Sequence, residues 1–301
     1  MSYIIAIGAY LFLLMIYGLV IAHKKVKTAD DMVTGGHRIP FIILVGSLLA
    51  TWCGGGGITG NASIIYNGGP WVGAITFAAP PIGIILLYFI AGKVRKSNKV
   101  TVPEIMGARY GQSASIISAV CVMLAYVGVL ATQLKAAADI LVLLCSSSGV
   151  EISRGLALVI CTTIIVVITV GGGLVSVAYS DAISALIMIG GFFIAIPILI
   201  SVANAQGAVL PPEKTTLTGG MSGWELLGYF LPSLALMLGD QNMLQRFASA
   251  KNSTEAKKSN IGMFIGEILV IISIVLVVTQ AAKLYPCLLY TSDAADDRIS
   301  V

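Results

Sequence analysis

A run of four glycines, Gly54 to Gly57, lies near the centre of a hydrophobic segment that covers residues 41–66. A regular helix over residues 41–65 would be about 38 Å long, against a hydrocarbon core of roughly 30 Å. Each glycine weakens a helix by roughly 1 kcal/mol relative to alanine, so the run predicts an unwound break at membrane depth. Backbone carbonyls freed by a break of this kind can ligate a cation, and the helix ends can meet a polar substrate. The segment therefore predicts the site of a secondary transporter.

Two charged residues, Lys135 and Asp139, lie inside another hydrophobic segment, four positions apart and hence on one helix face. A charged residue in a membrane span costs about 2.5–3.5 kcal/mol on insertion scales and usually faces a cavity or a partner. One interpretation is that Lys135 contacts an anionic group of a substrate or takes part in coupling. The alternative is a mutually neutralising pair near the outer interface, with Lys135 extended towards the headgroups.

The elements that must position these residues are membrane helices. Of the 301 residues, 57% are hydrophobic and 11% are charged, and the mean hydropathy is +0.95. This composition excludes a soluble globular protein and predicts an all-α polytopic membrane protein whose main partner is the lipid bilayer. Eight apolar segments are predicted to cross the membrane: residues 3–22, 41–66, 71–92, 114–145, 154–170, 177–203, 224–244 and 261–284.

The basic residues predict the orientation of these spans. Thirteen of the 18 Lys and Arg residues fall in the loops after the first, third and seventh spans, which alternate on one side of the membrane. They are Lys24, Lys25, Lys27, Arg38, Lys93, Arg95, Lys96, Lys99, Arg109, Arg246, Lys251, Lys257 and Lys258. We therefore expect cytoplasmic basic loops and an external N-terminus, and no nucleic-acid partner is needed to explain the net charge of +4.

Catalytic patterns are missing from the sequence. The five cysteines show neither a CxxC pair nor the spacing of metal ligands, and neither HExxH nor GxSxG occurs. The intramembrane aspartyl protease motifs fail as well, since Ser180 precedes Asp181 and Met237 stands two positions before Gly239. The sequence is therefore predicted not to be an enzyme, and we expect no organic cofactor.

The character of the chain changes after Pro286, where the membrane pattern ends and residues 287–301 (CLLYTSDAADDRISV) follow. This string resembles translated adaptor sequence at the end of a truncated assembly. We interpret residues 1–286 as the transmembrane domain of the predicted transporter and residues 287–301 as a non-native tail. A natural polar C-terminus is the alternative.

Four passages resemble, in order, motifs of the sodium:solute symporter family. Residues 28–40 (TADDMVTGGHRIP) resemble the loop that leads into the first core helix of that family. Residues 47–60 (SLLATWCGGGGITG) resemble the broken first core helix, in the version found in choline-transporter-like members. Residues 171–181 (GGGLVSVAYSD) and 245–251 (QRFASAK) are similar to the start of core helix 5 and the cytoplasmic end of core helix 6.

The resemblance implies a LeuT-like inverted-repeat transporter fold with one outer helix, core helices 1 to 7 and an external N-terminus. In this family sodium is held between backbone carbonyls of core helix 1 and hydroxyls of core helix 8. Because core helix 8 would lie beyond residue 286, we expect an incomplete fold and a fragment that is inactive alone.

The resemblance also implies a set of cation ligands. Ala50 and Cys53 fall at the positions whose backbone carbonyls ligate Na⁺, and oxygen ligands suit a hard cation. Asp181 falls where the family carries an acid along the cytoplasmic sodium path. The alternative for Asp181 is an acid at a helix N-terminus, stabilised by the macrodipole by about 0.3–1 kcal/mol.

The implied substrate contacts are Trp52, Gly54, Gly57, Tyr126 and Lys135. Trp52 adjoins the break, and Tyr126 falls where choline transporters place an aromatic residue in core helix 3. Aromatic faces attract quaternary ammonium groups, although membrane aromatics more often serve packing. Lys135 argues against a cationic substrate, because it would repel one. Choline and a carboxylate-bearing solute therefore both remain open.

Two further acids lie in the predicted spans. Asp240 belongs to residues 239–242 (GDQN), which interrupt the seventh span where an inverted repeat predicts a second broken helix. Asp240 is alternatively a cap at the cytoplasmic end of that span. Glu267 lies inside the eighth span, and the sequence assigns it no partner.

Together these features predict sodium-coupled symport of a small organic solute by alternating access, in a cell membrane such as the bacterial inner membrane. Na⁺ is the expected co-transported ion on the family resemblance, while the residues themselves leave sodium and proton coupling open. The alternatives are a sensory or regulatory domain related to symporters and an inactive remnant.

Overall fold

The computed structural model describes residues 2–286, and within them the side chains of residues 2–4, 29, 30 and 56 are not described. The predicted tail at residues 287–301 lies outside the described residues. The described part is almost entirely helical. An isolated β-bridge joins Ile39 and Ala250.

Twelve α-helices, numbered in chain order, make up this described part. They are α1 Ser2–Lys25, α2 Ala29–Thr34, α3 Phe41–Trp52, α4 Gly55–Gly68, α5 Pro70–Thr76, α6 Ala79–Ser97, α7 Val102–Tyr110, α8 Gln112–Ser147, α9 Arg154–Ala205, α10 Gly223–Gly239, α11 Gln241–Ser249 and α12 Ser253–Leu284. Short 3₁₀ helices occur at Gly35–His37 and Pro212–Thr215.

Five stretches of the described residues are long and apolar enough to cross a membrane, or six when the bent pair α3 and α4 is taken as one span. The difference from the eight predicted spans has two causes. The fifth and sixth predicted spans are joined in the 52-residue α9, whose backbone departs from helical geometry at Gly173. The seventh corresponds to α10, whose 17 residues continue into α11 after a break at Asp240. Each predicted span thus has a helical counterpart.

The kink in α9 depends on glycine at position 173. Its φ of 55° lies in the left-handed region, which residues with a Cβ adopt at a cost. A Cβ there would also lie 2.5 Å from the Met32 carbonyl oxygen of α2. The kink therefore separates the two predicted spans and lets α2 pack against it.

The centre of the bundle is α3, which packs against α9 on one side and α12 on the other. The α3–α9 contact is close because a Cβ on Gly46 would stand 2.6 Å from the Cα of Ala182. On the other side, a Cβ on Gly266 of α12 would meet the Leu49 side chain at 2.4 Å. Small residues thus bring the three backbones together, as is common between membrane helices.

The basic loops meet at one end of the bundle, where the resemblance motifs around residues 28–40 and 245–251 are in contact. Gln245 donates from its amide to the Val33 carbonyl at 2.9 Å, and the His37 ring Nδ1 lies 2.6 Å from the Ala248 carbonyl oxygen. The Arg95 guanidinium donates to the Ala250 carbonyl. The shared end agrees with the predicted placement of these loops on one side of the membrane.

The first of these loops is ordered by a capping box at the start of α2. The Thr28 hydroxyl accepts from the Asp31 backbone N–H at 3.2 Å, and the Asp31 carboxylate accepts from the Thr28 backbone N–H at 3.0 Å. A further backbone N–H, that of Lys27, donates to the same carboxylate at 3.0 Å, and together with the Thr28 bonds it lowers the pKa of Asp31. Asp31 therefore stays ionised and holds the loop in place.

Candidate functional site

The glycine run produces the predicted break. Helix α3 ends at Trp52, helix α4 begins at Gly55, and the two segments are inclined by 54°. Among the described backbone hydrogen bonds, the last one on the α3 side is donated by the Cys53 N–H to the Leu49 carbonyl. The first one on the α4 side is donated by the Ile58 N–H to the Gly54 carbonyl. The structure therefore divides this segment into two half-helices.

The carbonyls of Ala50, Thr51 and Cys53 accept none of the described backbone hydrogen bonds. The last carbonyls of any helix lack an intrahelical partner, and they carry the negative end of the helix dipole. Ala50 and Cys53, the two predicted cation ligands, lie at this end of α3. Among the described residues, groups of three or more His, Cys, Asp and Glu that could hold a metal ion are absent.

The glycines at the break serve close packing as well as unwinding. A Cβ on Gly54 would lie 2.3 Å from the Gln133 amide nitrogen, and a Cβ on Gly55 would lie 2.7 Å from the Ala136 methyl, both on α8. A Cβ on Gly57 would meet the Trp52 carbonyl oxygen at 2.6 Å. Neither Gly54, with a φ of −75°, nor the rest of the run has a positive φ. Glycine is thus favoured here because a Cβ would contact neighbouring atoms too closely, and not because the backbone is left-handed.

Gln133 is a residue that the sequence reasoning missed. It stands on the face of α8 that meets the break, and its amide is the nearest side chain to Gly54. A polar amide in the middle of a span was the available signal, because such groups in a membrane are costly unless they are satisfied.

Lys135 lies on a different face of α8 from Gln133 and Ala136. Successive helix residues are separated by about 100°, so Lys135 is rotated by roughly 200° from Gln133 and 100° from Ala136. Its side chain is exposed, in agreement with this rotation. The alternative interpretation, a neutralising pair of Lys135 and Asp139, is wrong, because Asp139 pairs with Arg154 at 2.7 Å. The structure therefore does not bring Lys135 to the break.

Tyr126 lies at the second break, between α10 and α11. Its hydroxyl oxygen accepts from the Asn242 backbone N–H at 3.2 Å. Asp240 caps α11 there, accepting from the Met243 N–H at 2.8 Å, so its role as a cap applies to the helix that follows the break. The structure thus confirms the interruption at residues 239–242 and associates Tyr126 with it.

Trp52 and Cys53 share a neighbour on α12, Glu267. The Cys53 thiol lies 4.0 Å from a carboxylate oxygen of Glu267, and the Trp52 side chain makes a polar contact with the same carboxylate. Glu267 is only 2% exposed. The sequence assigned no partner to Glu267, and the tertiary structure places this acid beside the predicted cation ligand Cys53.

Asp181 is held by a buried polar network that joins three helices. Its carboxylate accepts from the Ser47 hydroxyl of α3 at 2.8 Å and from the Arg246 guanidinium of α11 at 3.2 Å. The Ser47 oxygen in turn accepts from the Arg246 Nε at 2.7 Å. Ser47 and Arg246 are 0% and 5% exposed, whereas the Asp181 side chain is 24% exposed. We call these three residues the Ser47–Asp181–Arg246 network.

The alternative of a helix N-terminal acid at Asp181 does not fit this position. The second half of α9 begins after Gly173, so Asp181 lies more than one turn inside it. The macrodipole effect is limited to the first turn, and the carboxylate is instead stabilised by its two side-chain donors.

A helical bundle with several membrane-length helices and two broken helices is typical of membrane transporters with an inverted-repeat core. A family model described as "Sodium:solute symporter family" matches residues 32–299. The chain belongs to the sodium:solute symporter family, which is a family of transporters and not of enzymes.

Individual relatives agree with this assignment. The chain is 25% identical over 276 residues to the human high affinity choline transporter 1, covering 84% of this chain and 46% of the relative. It is 25% identical over 271 residues to the sodium/sialic acid symporter NanT of Aliivibrio fischeri, covering 85% of this chain and 52% of the relative. The chain thus spans about half the length of the curated relatives it matches.

A solved structure supports the fold. A Na⁺-coupled sialic acid symporter, described in a substrate-bound outward-open state with a novel Na⁺ site, superimposes with a TM-score of 0.76 at 17% identity. The match covers 95% of this chain and 61% of the solved chain. The LeuT-like fold implied by the motifs is therefore confirmed for this part of the protein.

Proposed function

We propose that this chain is part of a secondary transporter that couples uptake of a small organic solute to the sodium gradient. The observation that carries the proposal is the break between α3 and α4, in a chain of the symporter family. There the carbonyls of Ala50 and Cys53 accept none of the backbone hydrogen bonds among the described residues. Carbonyl oxygens match the ligand preference of Na⁺, which is the co-transported ion of this family. We propose that the protein lies in the cell membrane, which in a bacterial host is the inner membrane.

The second element of the proposal is a cytoplasmic gate formed by the Ser47–Asp181–Arg246 network. This network and the contacts of residues 28–40 with α11 hold α3, α9 and α11 together at the end that carries the basic loops. Alternating access needs an element that is closed in one state and open in the other. Asp181 is proposed to exchange Arg246 for the sodium ion when this end opens, so the cation biases the gate.

The substrate is proposed to bind beside the break, at Trp52, Gly54 and Gly57, with Gln133 of α8 as an additional contact. Lys135 was the reason to doubt a cationic solute, and its exposed position on another face of α8 removes that objection. The relatives are named as transporters of choline, glucose and sialic acid, so the proposal specifies a small organic solute and does not choose among these three.

Transport in proteoliposomes tests the proposal. The gene, re-read at the DNA level across the codon for Pro286, is expressed, and the purified protein is reconstituted with radiolabelled choline, glucose and sialic acid offered separately. We expect accumulation of one solute that requires an inward Na⁺ gradient and stops when K⁺ replaces Na⁺. Uptake that ignores the sodium gradient would contradict sodium coupling, and the Asp181→Asn variant should lose coupled uptake.

A further inference from the structure

Glu267 is an acid inside the membrane for which the transport scheme above has no role. It lies in α12, is 2% exposed, and is among the largest fully buried side chains. Within the described residues, the ion pairs join Arg154 to Asp139, Arg246 to Asp181 and Lys258 to Glu255. Glu267 therefore has no Lys, Arg or His partner among them.

An unpaired carboxylate in this position is expensive. Even after relaxation, the effective desolvation penalty for a buried ion is several kcal/mol, and a membrane acid by default marks a functional site. The neighbours that the structure gives Glu267 are weak or neutral donors, the Cys53 thiol at 4.0 Å and the Trp52 side chain. They orient the carboxylate without neutralising it.

The surroundings of Glu267 add negative potential. Its carboxylate stands beside the C-terminal end of α3, where the carbonyls of Ala50, Thr51 and Cys53 accept none of the described backbone bonds. That helix end carries the negative pole of the dipole, so a second negative group there is unfavourable unless a positive charge joins them. The Glu267 carboxylate and the C-terminal end of α3 therefore both favour a positively charged ligand.

The position of Glu267 is fixed by backbone packing. The preceding residue, Gly266, lies so close to α3 that a Cβ would meet the Leu49 side chain at 2.4 Å, and Gly262 one turn earlier meets Val45 in the same way at 2.5 Å. This close approach places the next side chain of α12 against the last turn of α3. The juxtaposition is built by the fold, since positions 53 and 267 are far apart in sequence.

We propose that Glu267 is the charged ligand for a monovalent cation held at the α3–α4 break, together with the free carbonyls at the end of α3. This inference rests on the proposed function and deepens it, because it adds a charged ligand from α12 to a site otherwise made of neutral oxygens. The cation is either the co-transported Na⁺ or the ammonium group of the solute. Both carry one positive charge and both fit a carboxylate beside an indole ring.

Direct cation binding tests this inference without transport. Trp52 contacts the Glu267 carboxylate, while Trp71 and Trp224 are exposed, so the Trp71→Phe/Trp224→Phe variant leaves Trp52 as the sole tryptophan reporter. The 301-residue protein in nanodiscs is titrated with NaCl and, separately, with tetramethylammonium chloride. Total chloride is held constant with N-methyl-D-glucamine, and Trp52 emission is recorded.

We expect a saturable change in emission with one of the two cations, and the cation that saturates identifies the source of the charge. In that reporter background Glu267→Gln should raise the half-saturating concentration roughly tenfold, because it removes a charge-assisted contact. Glu255→Gln is the matched control, since it removes one acid of α12 that pairs with Lys258 at the surface, and it should leave the titration unchanged.

A reporter protein that responds to neither cation, or a Glu267→Gln variant that titrates like its parent, would overturn the inference. Folding of each variant is checked by gel filtration and far-ultraviolet circular dichroism. If Glu267→Gln does not fold, Glu267→Asp keeps the charge but shortens the side chain, and an unshifted titration in that variant also overturns it. Cation binding by the 301-residue protein, without gradient-driven uptake by the product of the re-read gene, would contradict the proposed function and leave this inference standing.

Discussion

Asp181 and Glu267 are both acids inside the helical bundle, and the fold gives them opposite surroundings. Asp181 receives a hydroxyl and a guanidinium from α3 and α11, so its charge is neutralised within the chain. Glu267 receives a thiol and an indole and lies beside a helix end of its own sign. The first acid is therefore suited to hold α3, α9 and α11 together, whereas the second is suited to attract a cation from outside. The neighbours, and not the residue type, decide which role an acid has.

The largest effect should come from removing the basic member of the network. Arg246→Met leaves Asp181 without its counter-charge. Breaking a buried pair costs about 3–5 kcal/mol, and we expect the lower end of this range because the Asp181 side chain is 24% exposed. Unfolding of the detergent-solubilised protein by sodium dodecyl sulfate should show this loss. Lys251→Met, which removes an exposed basic residue just after α11, is the control and should be near neutral.

A double variant sharpens that result. Asp181→Asn combined with Arg246→Met removes both charges, and it should recover at least half of the stability lost in Arg246→Met alone. Additive losses would show that the two residues do not form an energetically coupled pair, contrary to the network described above.

The next largest effect concerns the packing of the break against α8. Gly55→Ala would put a methyl 2.7 Å from the Ala136 methyl, which cannot rotate away, and overpacking of this kind costs about 1–3 kcal/mol. Gly60→Ala, in the same half-helix with open space around its Cα, is the control and should be neutral or slightly stabilising. Equal unfolding free energies for the two variants would argue that the break does not pack closely on α8.

A smaller effect of opposite sign is expected at Glu267. In cation-free buffer, Glu267→Gln removes a buried carboxylate that lacks a basic partner, so the variant should be as stable as the parent or more stable by about 1 kcal/mol. The same detergent titration measures it. A loss comparable to that of Arg246→Met would mean that Glu267 is neutralised within the chain, and the contrast between the two acids would fail.

The smallest effect should come from the exposed pair of Arg154 and Asp139. Both side chains are about half exposed, at 55% and 46%, so water screens their attraction. Asp139→Asn should cost about 0.2–1 kcal/mol, the range measured for surface pairs. This variant calibrates the buried network, since a loss as large as that of Arg246→Met would remove the distinction between buried and exposed pairs.

The family and much of the fold could be predicted from the sequence, because they depend on local patterns. Apolar runs marked the helices, four glycines marked the break, and the interruption at residues 239–242 marked the second one. The count of separate spans was less accurate, since the kink at Gly173 leaves α9 assigned as one long helix. The positive φ of Gly173 changes the direction of the chain between the two predicted spans, although the residues on both sides of it are helical.

The candidate site was predicted less completely than the fold. The break was predicted, whereas the sodium-binding roles of Ala50, Cys53 and Asp181 stay predictions. The alternative of a pair between Lys135 and Asp139 was wrong, because spacing along one helix does not show that Arg154 lies beside Asp139. Tyr126 was placed with the substrate contacts, and the structure associates it with α11. The substrate roles of Trp52, Gly54 and Gly57 stay predictions.

What the sequence by itself determined is the set of properties written in neighbouring residues: hydrophobic length, the glycine break, the basic loops and the four family motifs. What only the tertiary structure decided is which distant residues meet. Ser47, Asp181 and Arg246 converge from three helices, and Glu267 reaches Cys53 across 214 positions. The physical reason is that charge neutralisation and helix packing act through space, and a single sequence records only the order of residues along the chain.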